Sequence, residues 1–281
     1  MSFFDRIAEC SVFDRSRYRE FRVDGHEVGL IEAAFAEDLS EFEDVFAVGD
    51  DDVTLAADLA DAESRTRAVD RCLRTLKERG RIMGWREEPY PVAPSFSAPA
   101  LFTMERAAVP LFGVRGYGVH MNGIVVKGGA TKMWIGKRSL TKPTGPGKLD
   151  QLVAGGQPAG MSLKANLIKE CEEEAAIPHA LAERAVPIGG ISYVTERPEG
   201  LRRDVLFNYD LELPPDFEPR NTDGEIEAFY LWPIEKVIEV VRDTDQFKFN
   251  CALVVIDFLI RRGFIEPDHP EYVDLLKGLH G

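Results

Sequence analysis

Three glutamates in the second half of the chain, Glu170, Glu173 and Glu174, have a spacing that could bind a metal ion. They follow a glycine-rich loop, in a segment (162–176) whose apolar residues recur with the period of an α-helix. On a helical wheel the three carboxylates project from one arc of about 100° beside the apolar stripe, whereas Glu172 points away. The sequence therefore predicts a carboxylate cluster on one side of a helix.

Such a cluster is costly without a cation. Like charges four residues apart repel by a few tenths of a kcal/mol, and Glu174 lies at the edge of the buried face, where an unpaired charge is costly. The C-terminal half of a helix also disfavours acids. Hard divalent cations such as Mg²⁺ prefer oxygen ligands and commonly bridge carboxylates to phosphates. The cluster therefore favours a metal site, with an acid cluster that only faces solvent as the alternative.

The segment resembles the Nudix box, G-x5-E-x7-R-E-U-x-E-E-x-G-U, in which U is a bulky apolar residue. Six of the nine defined positions are filled at the right spacing, by Gly155, Glu170, Cys171, Glu173, Glu174 and Ile177. Three positions depart: Met161 replaces the first glutamate, Lys169 the arginine and Ala176 the second glycine. A lysine keeps the positive charge of the arginine but not its bidentate fork.

The resemblance implies a hydrolase that cleaves a small-molecule diphosphate with Mg²⁺ or Mn²⁺. Glu170, Glu173 and Glu174 would be the metal ligands, and Lys169 would belong to the catalytic group with the first two. A further acid commonly comes from outside the box, and in the run 223–227 Glu225 is the first choice and Glu227 the second. The alternative for both is a polar turn followed by a solvent-facing strand residue.

Basic residues are expected to contact the phosphates or the organic part of the substrate. Arg138, Lys148 and Arg203 are the candidates because they lie beside predicted strand ends or glycine-rich turns. Trp134 and Tyr193 could stack on a heterocycle, although aromatic residues of this kind more often lie in a core.

The runs 136–139, 146–150 and 155–156 look like the Nudix subfamily related to the Nudix half of thiamin pyrophosphokinase fusions. The runs 247–250 and 257–258 are similar to it too. The likeness implies thiamin diphosphate or a damaged analogue as substrate, with nucleoside diphosphate derivatives as the alternative. A non-catalytic diphosphate-binding regulatory protein stays open. An isomerase of the isopentenyl-diphosphate type is disfavoured, since it needs an active-site cysteine and Cys171 falls on the packing face.

The elements that would position these residues indicate an α+β fold. A smaller α/β N-terminal unit (1–105) contains a predicted helix at 62–79 and ends in a proline-rich extended connector at 89–99. In the C-terminal unit (106–281) the strands outnumber the helices and do not alternate strictly with them. This pattern favours a Nudix-like mixed sheet flanked by helices, with the N-terminal unit as an accessory domain.

Composition excludes several classes of protein. A net charge of −14 over 281 residues argues against a nucleic-acid binder. No uncharged apolar stretch approaches 18 residues, so we expect no membrane span. The first residues lack the apolar core of a signal peptide, so we expect a cytoplasmic protein. Four scattered cysteines predict neither a zinc site nor a disulfide framework. A homodimer is compatible with these features.

Overall fold

The computed structural model describes residues 2–280. A four-stranded sheet of order β2-β1-β4-β3 and a two-stranded sheet, β5-β6, lie in the N-terminal unit. The elements are α1 (Phe3–Glu9), β1 (Tyr18–Val23), β2 (His26–Glu32), α2 (Ala33–Leu39), β3 (Phe46–Val48), β4 (Asp52–Leu55), α3 (Ala62–Glu78), β5 (Pro89–Val92) and β6 (Phe102–Glu105). Short 3-10 helices cover Arg15–Arg17 and Arg106–Ala108.

The C-terminal unit is built on a seven-stranded sheet of order β11-β12-β7-β8-β13, in which β10 also pairs with β7 and β9 with β8. Its elements are β7 (Arg115–Lys127), β8 (Ala130–Arg138), β9 (Leu149–Asp150), β10 (Val153–Gly156), α4 (Leu163–Ala175), α5 (His179–Ala182), β11 (Val186–Arg197), β12 (Gly200–Glu212), β13 (Ile226–Pro233), α6 (Ile234–Asp243), α7 (Phe249–Arg261) and α8 (Tyr272–His280). Strands β12 and β7 are parallel, while the other pairs are antiparallel. The predicted mixed α+β fold is therefore confirmed.

Separate hydrophobic clusters stabilise the two units. One cluster fills the N-terminal unit and extends along the chain as far as Val114. Two others belong to the C-terminal unit: α4 packs in one and α7 in the other. Helix α1 is an exception, because Phe3 and Ile7 pack in the cluster that contains α7 and α8. The first helix of the chain thus joins the core of the C-terminal unit.

The segment 89–99 differs in part from the extended connector predicted for it. Residues Pro89–Val92 form β5, whose partner is β6. The prolines alternate with Tyr90 and Val92, which are buried, so the residues that lack an N–H lie on the more exposed side of a two-stranded sheet. Helix α3 agrees with its prediction to within one residue. Across residues 2–280, no helix combines the length and apolar character needed to cross a bilayer.

Candidate active site

Helix α4 begins and ends as its sequence predicts. The Ser162 hydroxyl accepts a hydrogen bond from the Ala165 N–H at 3.2 Å and caps the N-terminus. Ala176 ends the helix in the left-handed conformation, with φ +52°. This is the position at which the Nudix box has its second glycine, and a left-handed residue after the last turn is the usual place for glycine.

The packing face of α4 also agrees with the helical wheel. Leu167, Cys171 and Ala175 are buried in the core, whereas Glu172 is exposed. The acidic side chains therefore leave the helix on the side expected for them.

Burial perturbs two of the three glutamates. Glu174 is 3% exposed, and its carboxylate accepts a hydrogen bond from the Ala154 N–H at 2.8 Å. Burial raises the pKa of Glu174 well above its usual range, and Glu170 adds to the effect. Burial also raises the pKa of Glu170. No basic side chain within residues 2–280 forms a salt bridge with Glu174, so no cation contacts its carboxylate directly.

Glycine at position 155 makes room for one of these carboxylates. A Cβ atom on Gly155 would lie 2.3 Å from Cδ of Glu170, closer than any real contact. Strand β10 therefore accepts the Glu170 side chain directly against its backbone, which explains why the first position of the motif is glycine.

Lys169 supplies the positive charge at the outer end of the cluster. Its Nζ lies 2.5 Å from Oε2 of Glu173 and 3.5 Å from Oε1 of Glu170. The oxygens of Glu170, Glu173 and Glu174 do not all come within 4.8 Å of one another in the part of the chain described. The ammonium group thus holds two of the carboxylates while the third is buried.

The donor set fits a hard divalent cation. It consists of carboxylate oxygens only, which is the chemistry that Mg²⁺ and Mn²⁺ prefer. Glu174 is buried without a salt bridge among the described residues, and Gly155 leaves space for the Glu170 carboxylate. Glu170, Glu173 and Glu174 could therefore hold such an ion.

A cavity of about 710 Å³, here called the outer cavity, opens in front of Glu170 and Glu173. The cavity is also lined by Arg86 and Glu88 of the N-terminal unit and by Arg106 in the short helix that joins the units. Arg106 Nη1 donates to the Glu88 carboxylate at 2.8 and 3.0 Å. The acidic helix therefore faces an open space that both units enclose.

Glu225, the predicted additional acid, lines this outer cavity. Burial raises the pKa of the Glu225 carboxyl group, and the ion pair with Lys142 lowers it. The net result is a pKa below the usual value. The Glu225 loop is tied to α4, because the Thr222 hydroxyl donates to the Glu173 carbonyl at 2.6 Å. The second choice, Glu227, does not line the cavity and pairs with Lys137 at 3.2 Å.

A second cavity of about 220 Å³, the inner cavity, adjoins the outer one. Arg86, Arg106, Lys142, Gly155 and Gly156 are among the residues that line both. The inner cavity is also lined by Tyr90, His120, Arg202, Asp204, Lys248 and Asn250. Together the two cavities form one cleft.

The predicted substrate-binding residues do not all line the cleft. Arg138 lines the inner cavity but is buried, with Nη1 2.6 Å from Oδ2 of Asp150 and Nη2 2.8 Å from the Thr144 carbonyl. Lys148 pairs with Asp245 at 3.2 Å, outside both cavities.

Arg203 also lies outside both cavities and pairs with Glu27 at 2.9 Å. Trp134 and Tyr193 pack in hydrophobic clusters. Of these five side chains, only Arg138 reaches the cleft.

Sequence reasoning missed Arg86, Arg106, His120 and Lys248 as residues of the cleft. No local motif marks the first three. Lys248 lies in the run 247–250, which the sequence singled out only as a likeness to a subfamily. These residues come together through tertiary contacts that a periodic pattern does not show.

Within the described residues, His120, Asp150 and Cys251 form the one cluster whose possible ligand atoms all lie within 4.8 Å of one another. Their polar atoms already have partners: Cys251 Sγ donates to Oδ1 of Asp150 at 2.7 Å, and Arg138 holds the other oxygen. His120 Nδ1 lies 2.8 Å from Oε1 of Gln151. Burial raises the pKa of the Cys251 thiol well above its usual range. These groups form a closed hydrogen-bond network rather than an open ligand set.

Known proteins resemble this chain over both units. A family model described as "Domain of unknown function (DUF4743)" matches residues 2–116. Nudix hydrolase 20, chloroplastic, from Arabidopsis thaliana is 49% identical over 99% of this chain and 77% of the relative. Nudix hydrolase 24, chloroplastic, from the same plant is 48% identical over the same shares. The solved Nudix domain of Shewanella oneidensis NrtR, complexed with ADP ribose, gives a TM-score of 0.43 at 12% identity over 54% of this chain and 90% of that one.

The expected cytoplasmic location is contradicted by these relatives, since both plant proteins are named as chloroplastic. Targeting segments, not the composition of a folded domain, specify a compartment. The lack of an apolar signal-peptide core therefore could not support that prediction.

Proposed function

Because this chain belongs to the Nudix hydrolase family, we propose that it cleaves a small organic diphosphate with a divalent cation held by Glu170, Glu173 and Glu174. The observation that carries the proposal is the open outer cavity of about 710 Å³ in front of the acidic side of α4. Glu170 and Glu173 line that cavity. Glu174 lies buried against Ala154 in its wall.

Each charged residue has a proposed role. When bound, Mg²⁺ or Mn²⁺ would neutralise the diphosphate and make a water molecule more acidic. Lys169 would orient Glu170 and Glu173 through the contacts at 3.5 and 2.5 Å. Glu173 is the first candidate to accept a proton from the attacking water. Glu225, across the outer cavity, is the second candidate, once its ion pair with Lys142 opens.

We favour thiamin diphosphate or a damaged analogue as the substrate, released as the monophosphate. The support is the likeness of the runs 136–139 and 247–250 to the Nudix subfamily related to thiamin pyrophosphokinase fusions. Nucleoside diphosphate derivatives are the second candidate class. Basic residues of the cleft wall would contact the phosphates of either class.

We also propose that residues 1–105 form an accessory domain and residues 106–281 the catalytic domain. The accessory domain would complete the cleft, because Arg86 and Glu88 line the outer cavity together with residues of α4. The packing of residues up to Val114 in the N-terminal cluster would then fix the joining segment, and with it Arg106, at the edge of the cleft.

A panel of thiamin and nucleoside diphosphates, assayed for released phosphate with Mg²⁺ or Mn²⁺, tests this function. We expect metal-dependent release that a chelator stops and that Glu173→Gln lowers by at least about a hundredfold with the fold intact. Glu172→Gln is the matched control, since Glu172 is exposed on the same helix and its variant should turn over like the wild type. Near-normal turnover in Glu173→Gln would remove Glu173 from the mechanism. Saturable binding without turnover by the wild type would favour a regulatory diphosphate-binding role.

A further inference from the structure

The inner cavity is lined mainly by positive charge. Six basic side chains line it, against two carboxylates. The basic residues are Arg86, Arg106, Arg138, Lys142, Arg202 and Lys248. The outer cavity has the opposite balance, with five carboxylates against four basic side chains. The two ends of one cleft therefore suit ligand groups of opposite charge.

Most of the basic side chains of the inner cavity already have a carboxylate partner. The ion pairs join Arg106 to Glu88, Arg138 to Asp150, Lys142 to Glu225, and Arg202 to Glu199 and Asp204. Within residues 2–280, the side chains of Arg86 and Lys248 form neither an ion pair nor a hydrogen bond. These two groups are the cations of the inner cavity that remain available to a ligand.

Lys248 is held in place by its backbone. Its N–H donates to the Leu149 carbonyl at 2.9 Å, and its own carbonyl accepts from the Cys251 N–H at 2.9 Å in the first turn of α7. The side chain is half-buried, and burial lowers the pKa of its ammonium group. A half-buried ammonium without an acceptor is costly, and an anion in the inner cavity would relieve that cost.

The sizes of the two cavities indicate which end of a substrate fits in each. Pockets for organic ligands commonly measure roughly 300–1,000 Å³. The outer cavity, at about 710 Å³, falls in that range, and the inner one, at about 220 Å³, falls below it. A compact anion suits the inner cavity better than a heterocycle does.

We propose that the inner cavity binds the terminal phosphoryl group of the diphosphate substrate through Lys248 and Arg86, while the organic group lies in the outer cavity. This assignment rests on the proposed diphosphate hydrolysis. In that reaction water adds to phosphorus and the bond from phosphorus to the bridging oxygen breaks. The elements of water are shared between an organic monophosphate and orthophosphate. The inner cavity therefore holds the group that leaves as orthophosphate, and it should bind free orthophosphate without a metal.

Calorimetric titration of the full chain with inorganic phosphate, in the presence of a chelator, tests the assignment. We expect saturable binding to the wild type and at least about tenfold weaker binding to Lys248→Met and to Arg86→Gln, because each removes a charged contact. Lys236→Met is the matched control, since Lys236 pairs with Glu239 on the surface of α6, and it should bind like the wild type. Thermal unfolding checks that each variant is folded. If Lys248→Met is unfolded, Arg86→Gln decides.

The outcomes separate this inference from the proposed function. Absence of saturable phosphate binding to the wild type, or unchanged binding to the folded variants, overturns the assignment even if diphosphates are hydrolysed. Phosphate binding that depends on Lys248 and persists in Glu173→Gln supports the inner site. That result holds even for a protein that hydrolyses no diphosphate in the panel, in which case only the proposed function fails.

Discussion

The outer and inner cavities bring their charged groups together in different ways. The acidic side of the outer cavity has Glu170 and Glu173 in its lining and the buried Glu174 beside them, all within five consecutive residues of one helix. The inner cavity takes Arg86, His120 and Lys248 from segments far apart in the chain. A local cluster leaves a periodic pattern in the sequence, whereas a cluster assembled by tertiary packing does not. For this reason the acidic side of the cleft could be predicted from the sequence, and the basic side could not.

The same physical effect has opposite consequences at the two ends. Burial disfavours the charged form of any group. On the acidic side of α4 it raises the pKa of Glu170, which lines the outer cavity, and of the buried Glu174. In the inner cavity it lowers the pKa of Lys248, and that of His120 to about 4. A cation beside the carboxylates and an anion beside the basic groups would offset the cost of burying each set of charges. A metal–diphosphate complex carries its charges in this arrangement.

The largest expected effect comes from filling the space at Gly155 in the outer cavity. In Gly155→Ala the new Cβ would lie 2.3 Å from Cδ of Glu170, so the carboxylate must move. A flexible side-chain end can shift cheaply, and the fold should persist. A displacement of about 1 Å in a catalytic group can cost on the order of a hundredfold in rate, and we expect a loss of that size. Wild-type turnover in steady-state assays of a folded variant would show that the position of Glu170 is unimportant.

A smaller effect concerns the pH dependence of stability that the buried Glu174 causes. Because the pKa of Glu174 is raised in the folded state, its contribution to stability is present below its unfolded pKa of about 4.5 and is lost as pH rises through the folded pKa. Glu174→Gln cannot titrate but can still accept from the Ala154 N–H. Without metal, the variant should therefore become the more stable protein, relative to the wild type, as pH increases.

Thermal unfolding in a chelator between pH 4 and 8 measures this difference. Added Mn²⁺ should reverse it at neutral pH, because the wild type gains more binding energy than the variant. Parallel pH profiles for the two proteins would mean that Glu174 does not titrate differently in the folded state.

The smallest effect concerns Ala176, at the C-terminal end of α4. Ala176 has φ +52°, a conformation that costs an L-residue roughly 1–2 kcal/mol and glycine very little. Ala176→Gly should raise the free energy of unfolding by about 0.5–1 kcal/mol, after the larger unfolded-state entropy of glycine is included. Urea denaturation measures it. Ala165→Gly, in the first turn of the same helix, is the control and should destabilise by up to about 1 kcal/mol.

The sequence predicted the features that depend on local order. The cap at Ser162, the packing face of α4 and the exposure of Glu172 follow from helical periodicity and were confirmed. The mixed sheet followed from the order of strand-like and helix-like segments. The proline-rich segment was only partly predicted, because its pairing with β6 depends on a strand about ten residues further along the chain.

Partners distant in sequence limited the prediction of substrate contacts. Lys148 directly precedes a strand, as expected, whereas Arg203 lies inside β12. Asp245 and Glu27 pair with them outside the cleft. Arg86 has no motif around it, and only the packing of the two units brings it into the lining of the same cavity as Glu170 and Glu173. The charge of a residue is readable from the sequence, but the partner that satisfies it is not.

In the proposed mechanism the glutamates of α4, rather than the buried group at His120, hold the divalent cation. Anomalous diffraction from crystals soaked with Mn²⁺ and methylenediphosphonate tests it most directly. We expect a manganese peak at about 2.0–2.3 Å from carboxylate oxygens of Glu170, Glu173 or Glu174. A peak between His120, Asp150 and Cys251, or density for the diphosphonate with no metal beside α4, would contradict it.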